Sequence, residues 1–304
     1  MYDLLTKGKC ICMYTIGFDF KDTWLDLDKL SFSIRFFTER NVYTPHPYHT
    51  KIQSTENGIN LLSTRLAWAG CQQLSEGSIE LSVIREKRRY IVKGKAFHPK
   101  EICKSILIQV AGIDIRTIQF DEDSKERINE RGEIRAKRYP ASSRDLRVKM
   151  PLIFAGNDRG EEWFALSKDD KLRAKRFACH YDPFVGLQIL DLAHEEDKRY
   201  RGHHIELPEW HIGLVNNKED IVLERCRDLE QNFGLVPYDQ RKDTPKWLDD
   251  IRLIVNLHGE HWTGHIFNTF ADMERALEWV TERIEGHQVL AFLPAWYGRY
   301  YYEY

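Results

Sequence analysis

Two short apolar runs near the C-terminus, 250-DIRLIVNL-257 and 288-QVLAFL-293, frame a stretch at 270–284 with helical spacing. Met273, Ala276, Leu277, Val280 and Ile284 fall on one face of that helix, and Gly286 ends it. A connection this long suits two parallel strands joined by a crossover, not a hairpin. Strands apolar on both faces belong to a sheet covered on both sides. No GxGxxG follows the first run, which disfavours a dinucleotide-binding fold. Continuous apolar strands around an amphipathic helix fit an α/β barrel or a doubly wound sheet, and the unit looks like the opening β-α-β of a (β/α)₈ barrel.

Working outward, residues 217–233 (NKEDIVLERCRDLEQNF) also show helical spacing, at Ile221, Val222, Cys226, Leu229 and Phe233. Asn217 can cap its start, Asp220 stands at the third helical position, and Gly234 stops it. Pro237, the polar stretch 239–244 and Pro245 then make the clearest linker in the chain. Upstream the pattern is short strands. Residues 30–37, 79–84, 90–92, 106–110 and 113–118 are such runs, with 86–89 and Asn57-Gly58 as turns. A second block follows at 151–155, 162–166, 176–181, 186–192 and 211–215, with 157-NDRG-160 as a hairpin turn. Strands at this spacing indicate an antiparallel sandwich. Residues 124–138 read as a solvated loop or hairpin tip, and 194-HEED-197 as a solvated acidic turn.

Composition bounds the function classes. The 304 residues suit two domains. The net charge of −2 and the isolated basic cluster 85-REKRR-89 leave no footprint for nucleic acid. Aromatic residues make up 12%, which suits ring stacking but also the filling of a β-rich core. The six cysteines are scattered apart from the Cys10/Cys12 pair, so a reducing, cytoplasmic setting is expected. No signal peptide and no run of 18 apolar residues is present, so no membrane partner is expected. No cofactor motif stands out and no cofactor is expected.

The segments 245-PKWLDDIRLIVNLH-258, 259-GEHW-262 and 293-LPAWYGR-299 resemble the approach to the barrel in bacterial glycoside-hydrolase-like proteins. These are similar in layout to endo-α-N-acetylgalactosaminidase and α-galactosidase-type enzymes. The resemblance implies a mainly β fold: a galactose-mutarotase-like β-supersandwich, a linker helix, and an incomplete (β/α) barrel segment. On that reading 1–215 is the sandwich, 216–249 the linker helix and connector, and 250–304 the first β-α-β unit of a truncated TIM barrel. The family's catalytic carboxylates lie on later barrel strands, so no residue here inherits their role. The chain is then a fragment of a longer protein or a natural truncation.

Barrel chemistry gathers at the C-terminal ends of the strands. His258, Glu260, His261 and Trp262 follow the first strand, and Trp296, Tyr297 and Arg299 the second. Trp and Tyr faces stack on sugar rings, while His, Glu and Arg hydrogen-bond hydroxyls. These seven are the expected carbohydrate-binding residues; the plainer alternative is that they plug the barrel mouth. His258, His261 and His265 with Glu260 have spacings open to zinc, but no HExxH is present and no metal is assigned. Nothing fixes a working distance between Glu260 and Glu303, and no GxSxG nucleophile motif occurs.

Three readings follow: the inactive N-terminal part of a carbohydrate-active protein, a carbohydrate-binding or protein-interaction sandwich module, or a complete small enzyme using the rim. The unpaired edge beyond the second strand also invites self-association.

Overall fold

The computed structural model describes residues 24–68, 72–120, 125–128, 135–139, 150–171, 173–182, 187–261 and 263–294. The chain divides into two units, Met1–Phe233 and Gly234–Tyr304.

The first unit is mainly β. Its strands are β1 (Leu25–Leu27), β2 (Leu30–Thr38), β3 (Val42–Pro45), β4 (Thr50–Thr55), β5 (Gly58–Trp68), β6 (Gln73–Glu86), β7 (Arg89–Phe97) and β8 (Cys103–Ala111). Then come β9 (Thr117–Phe120), β10 (Glu126–Arg127), β11 (Arg135–Tyr139), β12 (Leu152–Gly156), β13 (Glu162–Ser167), β14 (Ala174–Asp182), β15 (Leu187–Glu195) and β16 (His204–Leu214). All pairings are antiparallel. They run β10-β9-β12-β13-β16-β7-β6-β5-β3-β2-β8-β15-β14-β11, with β1 added to β2 and β4 to β5. Short β3 is the seam: it pairs with β2 on one side and β5 on the other.

The two halves of this path share one core. Alternation along β2 turns Leu30, Phe32, Ile34 and Phe36 inward, and along β6 Ile79, Leu81 and Val83. The halves touch directly: the Phe177 ring of β14 meets Trp210 of β16 edge-on at 5.6 Å, and Phe32 of β2 lies 5.6 Å from Tyr90 of β7. Gly94 of β7 is required by this approach, since a Cβ there would lie 2.8 Å from Ile34 Cδ1. The far ends of the path also meet. Phe120 of β9 packs on Phe177, and Lys137 Nζ of β11 stands 5.9 Å from the Phe120 ring.

Helix α1 (Lys218–Phe233) lies on the outer face of this unit. The Asn217 side chain accepts the Glu219 N–H, as its capping position predicts, and Gly234 takes φ +58° at the far end. Ile221 packs with Leu152, Phe154, Phe164 and Leu166, so the helix read as part of a linker belongs to the first unit's packing.

In the second unit, β17 (Leu253–Asn256) and β18 (Val289–Phe292) pair in parallel across α2 (Phe270–Thr281). Thr269 and Asp272 form a reciprocal cap at the start of α2. Met273 is buried, and Ala276, Leu277, Val280 and Ile284 are half-buried, the stripe that spacing predicts.

Four expectations are corrected. Residues 113–116 are not strand; only Thr117–Phe120 is. The segment around 124–138 is not a hairpin tip, because β10 pairs with β9 and β11 with β14, at opposite ends of the path. His194 lies inside β15 and is fully buried, not in a solvated turn, since it shares a face with Leu190 and Leu192. The strands at 250–257 and 288–293 are shorter than their apolar runs and are not buried: Ile254 is 66% and Phe292 52% exposed.

Candidate functional site

The rim residues sit where the parallel strands end. Past β17 and β18 the pairing continues, with Leu257 N–H donating to Phe292 O at 2.9 Å and Gly259 N–H to Pro294 O at 3.0 Å. The segments following both strands therefore leave from one end. Residues 260–266 fold back as a tight hairpin: Glu260 bridges Ile266, His261 N–H donates to His265 O at 2.7 Å, and Gly264 turns at φ +88°. The His258 carbonyl accepts the Asn268 side-chain amide at 2.7 Å. The Phe267 ring stands among three imidazoles, edge-on to His258 at 5.4 Å, His261 at 5.7 Å and His265 at 5.1 Å. His261 Nδ1 lies 2.7 Å from Thr263 Oγ1.

Of the seven expected residues, His258, Glu260 and His261 are brought to this loop; Trp262, Trp296, Tyr297 and Arg299 lie outside the described residues. The loop offers a carboxylate, imidazoles and an exposed aromatic ring, groups that suit hydroxyl and ring recognition. Among the described residues no group of three or more His, Cys, Asp or Glu is placed to hold a metal ion.

Two polar clusters in the first unit escaped the sequence reading. The first lies beneath α1. Lys175 of β14 is fully buried and donates to Asp169 Oδ2 at 2.6 Å. Arg173 grips the same carboxylate with two bonds of 3.0 Å. Arg225 of α1, 4% exposed, donates to the Asp169 carbonyl at 2.5 Å. Burial opposes the Asp169 charge, but hydrogen bonds from Arg173 and Lys175 outweigh it and bring the carboxyl down to about 2. Burial lowers Lys175 to about 8 against the pull of Asp169. Burial and then the Lys175 and Arg173 charges take His194 down to about 3. His194 is thus neutral; its ring nitrogens make no hydrogen bond, and Glu196 Oε2 stands 3.6 Å from Nε2.

Beside this cluster, Glu224 of α1 accepts from Arg89 and Lys168, and Asp228 pairs with Lys168. Burial opposes the Glu224 charge, but these two partners hold it at about 2. With Lys175 and His194 closed to solvent, these bonds clamp a helix to a sheet. The signal was in the sequence: Lys175, Phe177 and Cys179 alternate, which places the lysine on the inward face.

The second cluster lies where β2, β6 and β7 meet β3, β8 and β16. His98 is 4% exposed and lies tilted against the Tyr43 ring at 4.9 Å. Its Nδ1 accepts the backbone N–H of Lys100 at 3.2 Å and of Glu101 at 2.9 Å, and its Nε2 lies 3.2 Å from Ser75 Oγ. Glu101 accepts from the Thr38 hydroxyl at 2.5 Å. Serine beside histidine suggests a nucleophile and base, but the tautomer is wrong. With Nδ1 engaged as acceptor, the neutral ring carries its proton on Nε2 and donates to Ser75.

No protein family and no curated protein matches the chain. Among solved structures, the Slr1438 protein from Synechocystis sp. PCC 6803 is similar over 62% of this chain and 78% of that one, at 7% identity and a TM-score of 0.36. Similarity at that level assigns neither family nor activity. Among the described residues, no helix is long and apolar enough to cross a membrane.

Proposed function

We propose that this chain is the N-terminal part of a carbohydrate-active, glycoside-hydrolase-like protein. In this reading the double sheet is a galactose-mutarotase-like supersandwich and the second unit is the opening of a barrel. The single observation that carries it is the pairing of Gly259 with Pro294 beyond two parallel strands. It brings the loop bearing His258, Glu260 and His261 to the same end as the chain after β18, the end where barrels bind substrate. The sugar-binding set is His258, Glu260 and His261, joined by Trp262, Trp296, Tyr297 and Arg299.

Catalysis is not expected of the chain alone. Retaining and inverting glycosidases need two carboxyl groups at a set separation, and the rim described here holds one, Glu260. Glycan-array binding by the full chain, weakened at least tenfold by Glu260→Gln together with His261→Ala, is the expected outcome. Turnover of aryl glycosides abolished by Glu260→Gln would show instead a working enzyme.

A second reading, a binding or interaction module without catalysis, is favoured by a groove of about 420 Å³ on the double sheet. Lys93, Lys95, Glu80, Glu206 and Glu209 line it, where a bulge between Leu207 and Trp210 distorts β16. Glycan binding lost in Lys93→Ala and Glu206→Ala but kept in Glu260→Gln would favour the module.

A further inference from the structure

We propose that the turn at residues 98–101 is an acid-released latch, closed while the His98 imidazole is neutral and opened by a proton on Nδ1. The argument starts from the hydrogen-bond census of the ring. Nδ1 faces two backbone N–H groups, those of Lys100 and Glu101. The Ser75 hydroxyl reaches toward its neighbour's carbonyl, Glu76 O, at 3.4 Å, which leaves its oxygen to accept from Nε2–H. Both ring nitrogens are thus committed, one as acceptor and one as donor, and the neutral ring satisfies every partner. A second proton has only Nδ1 to occupy. There it would confront two N–H donors that lose their acceptor, in a buried position.

The latch ties three segments together. His98 N–H donates to His203 O at 2.9 Å, and Cys103 N–H to Gly202 O at 2.7 Å, joining the turn to the connection that leads into β16. His203 Nδ1 lies 3.0 Å from His98 O and 3.2 Å from Glu101 O, so the exposed His203 ring bridges the two ends of the turn as a donor. Glu101 in turn holds Thr38, and Glu39 N–H donates to Ile102 O at 3.2 Å, which fixes the β2–β3 corner. Releasing 98–101 therefore frees this whole corner, while the core behind it keeps its sheet pairing.

The charges around the ring act in both directions. Tyr43 and Ser75 are neutral neighbours from β3 and β6. Glu101 on the turn and Glu76 on β6 favour the imidazolium; His203 and Lys100 oppose it. Burial is the largest influence and lowers His98 below its ordinary 6.5. A histidine depressed in the closed state contributes its full stabilisation above about pH 6.5, and that contribution is lost as pH falls below it.

The test is amide hydrogen exchange on the intact chain between pH 7 and pH 5, corrected for the intrinsic pH dependence of exchange. Protection of the Lys100 and Glu101 amides should fall by up to about tenfold per pH unit below pH 6.5, with the sheet amides of β7 unchanged. His98→Asn places a side-chain oxygen where Nδ1 stands, accepts the same two amides and does not titrate, so it should abolish that pH dependence while keeping protection at pH 7. The ¹⁵N shifts of the wild-type His98 ring give an independent reading: Nε2 protonated and Nδ1 bare at pH 7. Exchange at Lys100 and Glu101 that ignores pH, a pH dependence that persists in His98→Asn, or Nδ1 protonated at pH 7 would each overturn the latch.

Discussion

The two units make opposite use of apolar residues. In the first, side chains such as Phe32, Val92, Phe177 and Trp210 are wholly removed from water because two faces of one sheet path close over them. In the second, Ile254, Phe270, Trp279 and Phe292 remain more than half exposed, and Met273 is the buried hydrophobic residue of the helix. The same residue types are present; what differs is whether a second layer exists to meet them. Among the described residues of the second unit, one helix covers one face of a two-stranded sheet, and the other face has no layer to meet.

The sharpest way to break the contrast is to damage the first unit's interior. Asp169→Ala leaves Lys175 and Arg173 without their shared carboxylate and should cost about 3–5 kcal/mol of unfolding free energy in denaturant. Lys175→Met should cost much less, because Arg173 still neutralises Asp169. If the two variants are equally damaging, the cluster is not the clamp its geometry implies.

Acid probes the next level. Glu224 and Asp169 are held at about 2, below their ordinary 4.5 and 3.8. Carboxyls depressed in the folded state contribute stability above their unfolded values and lose it as pH falls toward 2. Exchange protection of α1 should therefore decline between about pH 4.5 and 2, by an order of 1–3 kcal/mol. Its counterpart α2, whose Asp272 cap lies at the surface, should show a smaller change in protection. Equal acid sensitivity of both helices would remove the distinction.

The smallest stability effect should come from the exposed strands. Ile254→Ser and Phe292→Ser should shift unfolding by under about 0.5 kcal/mol, yet reduce concentration-dependent association measured by light scattering. A wild-type chain that stays monomeric at high concentration would show that these residues attract no second copy.

Legibility followed periodicity. The strands from Leu30, Cys103, Leu152 and Glu162 were readable because alternation or apolar density marks them, and α2 because Met273, Ala276, Leu277 and Val280 repeat at helical spacing. β4 and β5 were passed over although Asn57-Gly58 marks their turn: β4 is almost wholly exposed and lacks an apolar face. At the candidate rim, sequence order sufficed to put His258, Glu260 and His261 past a strand end, but Phe267 standing among the imidazoles depends on a hairpin closed by Gly264. The clamp and the His98 turn were harder, because both join residues from distant strands, and only the inward register of Lys175 hinted at either.

The connection from β10 to β11 sets an order of events in folding. Arg127 and Arg135 are eight residues apart, a reach of at most about 29 Å for extended chain, yet they stand near opposite ends of a path of fourteen strands that would measure about 62 Å if laid flat. The tether can therefore be satisfied only once the sheet has curled, and β11 has no partner until β14 arrives from later in the chain. Closure of the belt is thus a late, non-local step that depends on β14 and β15 being made, and the entropy of bringing such distant segments together favours slow folding. During synthesis the growing chain would carry an open belt, its inner face uncovered, until residue 214 has emerged, because β16 is the strand that joins β13 to β7.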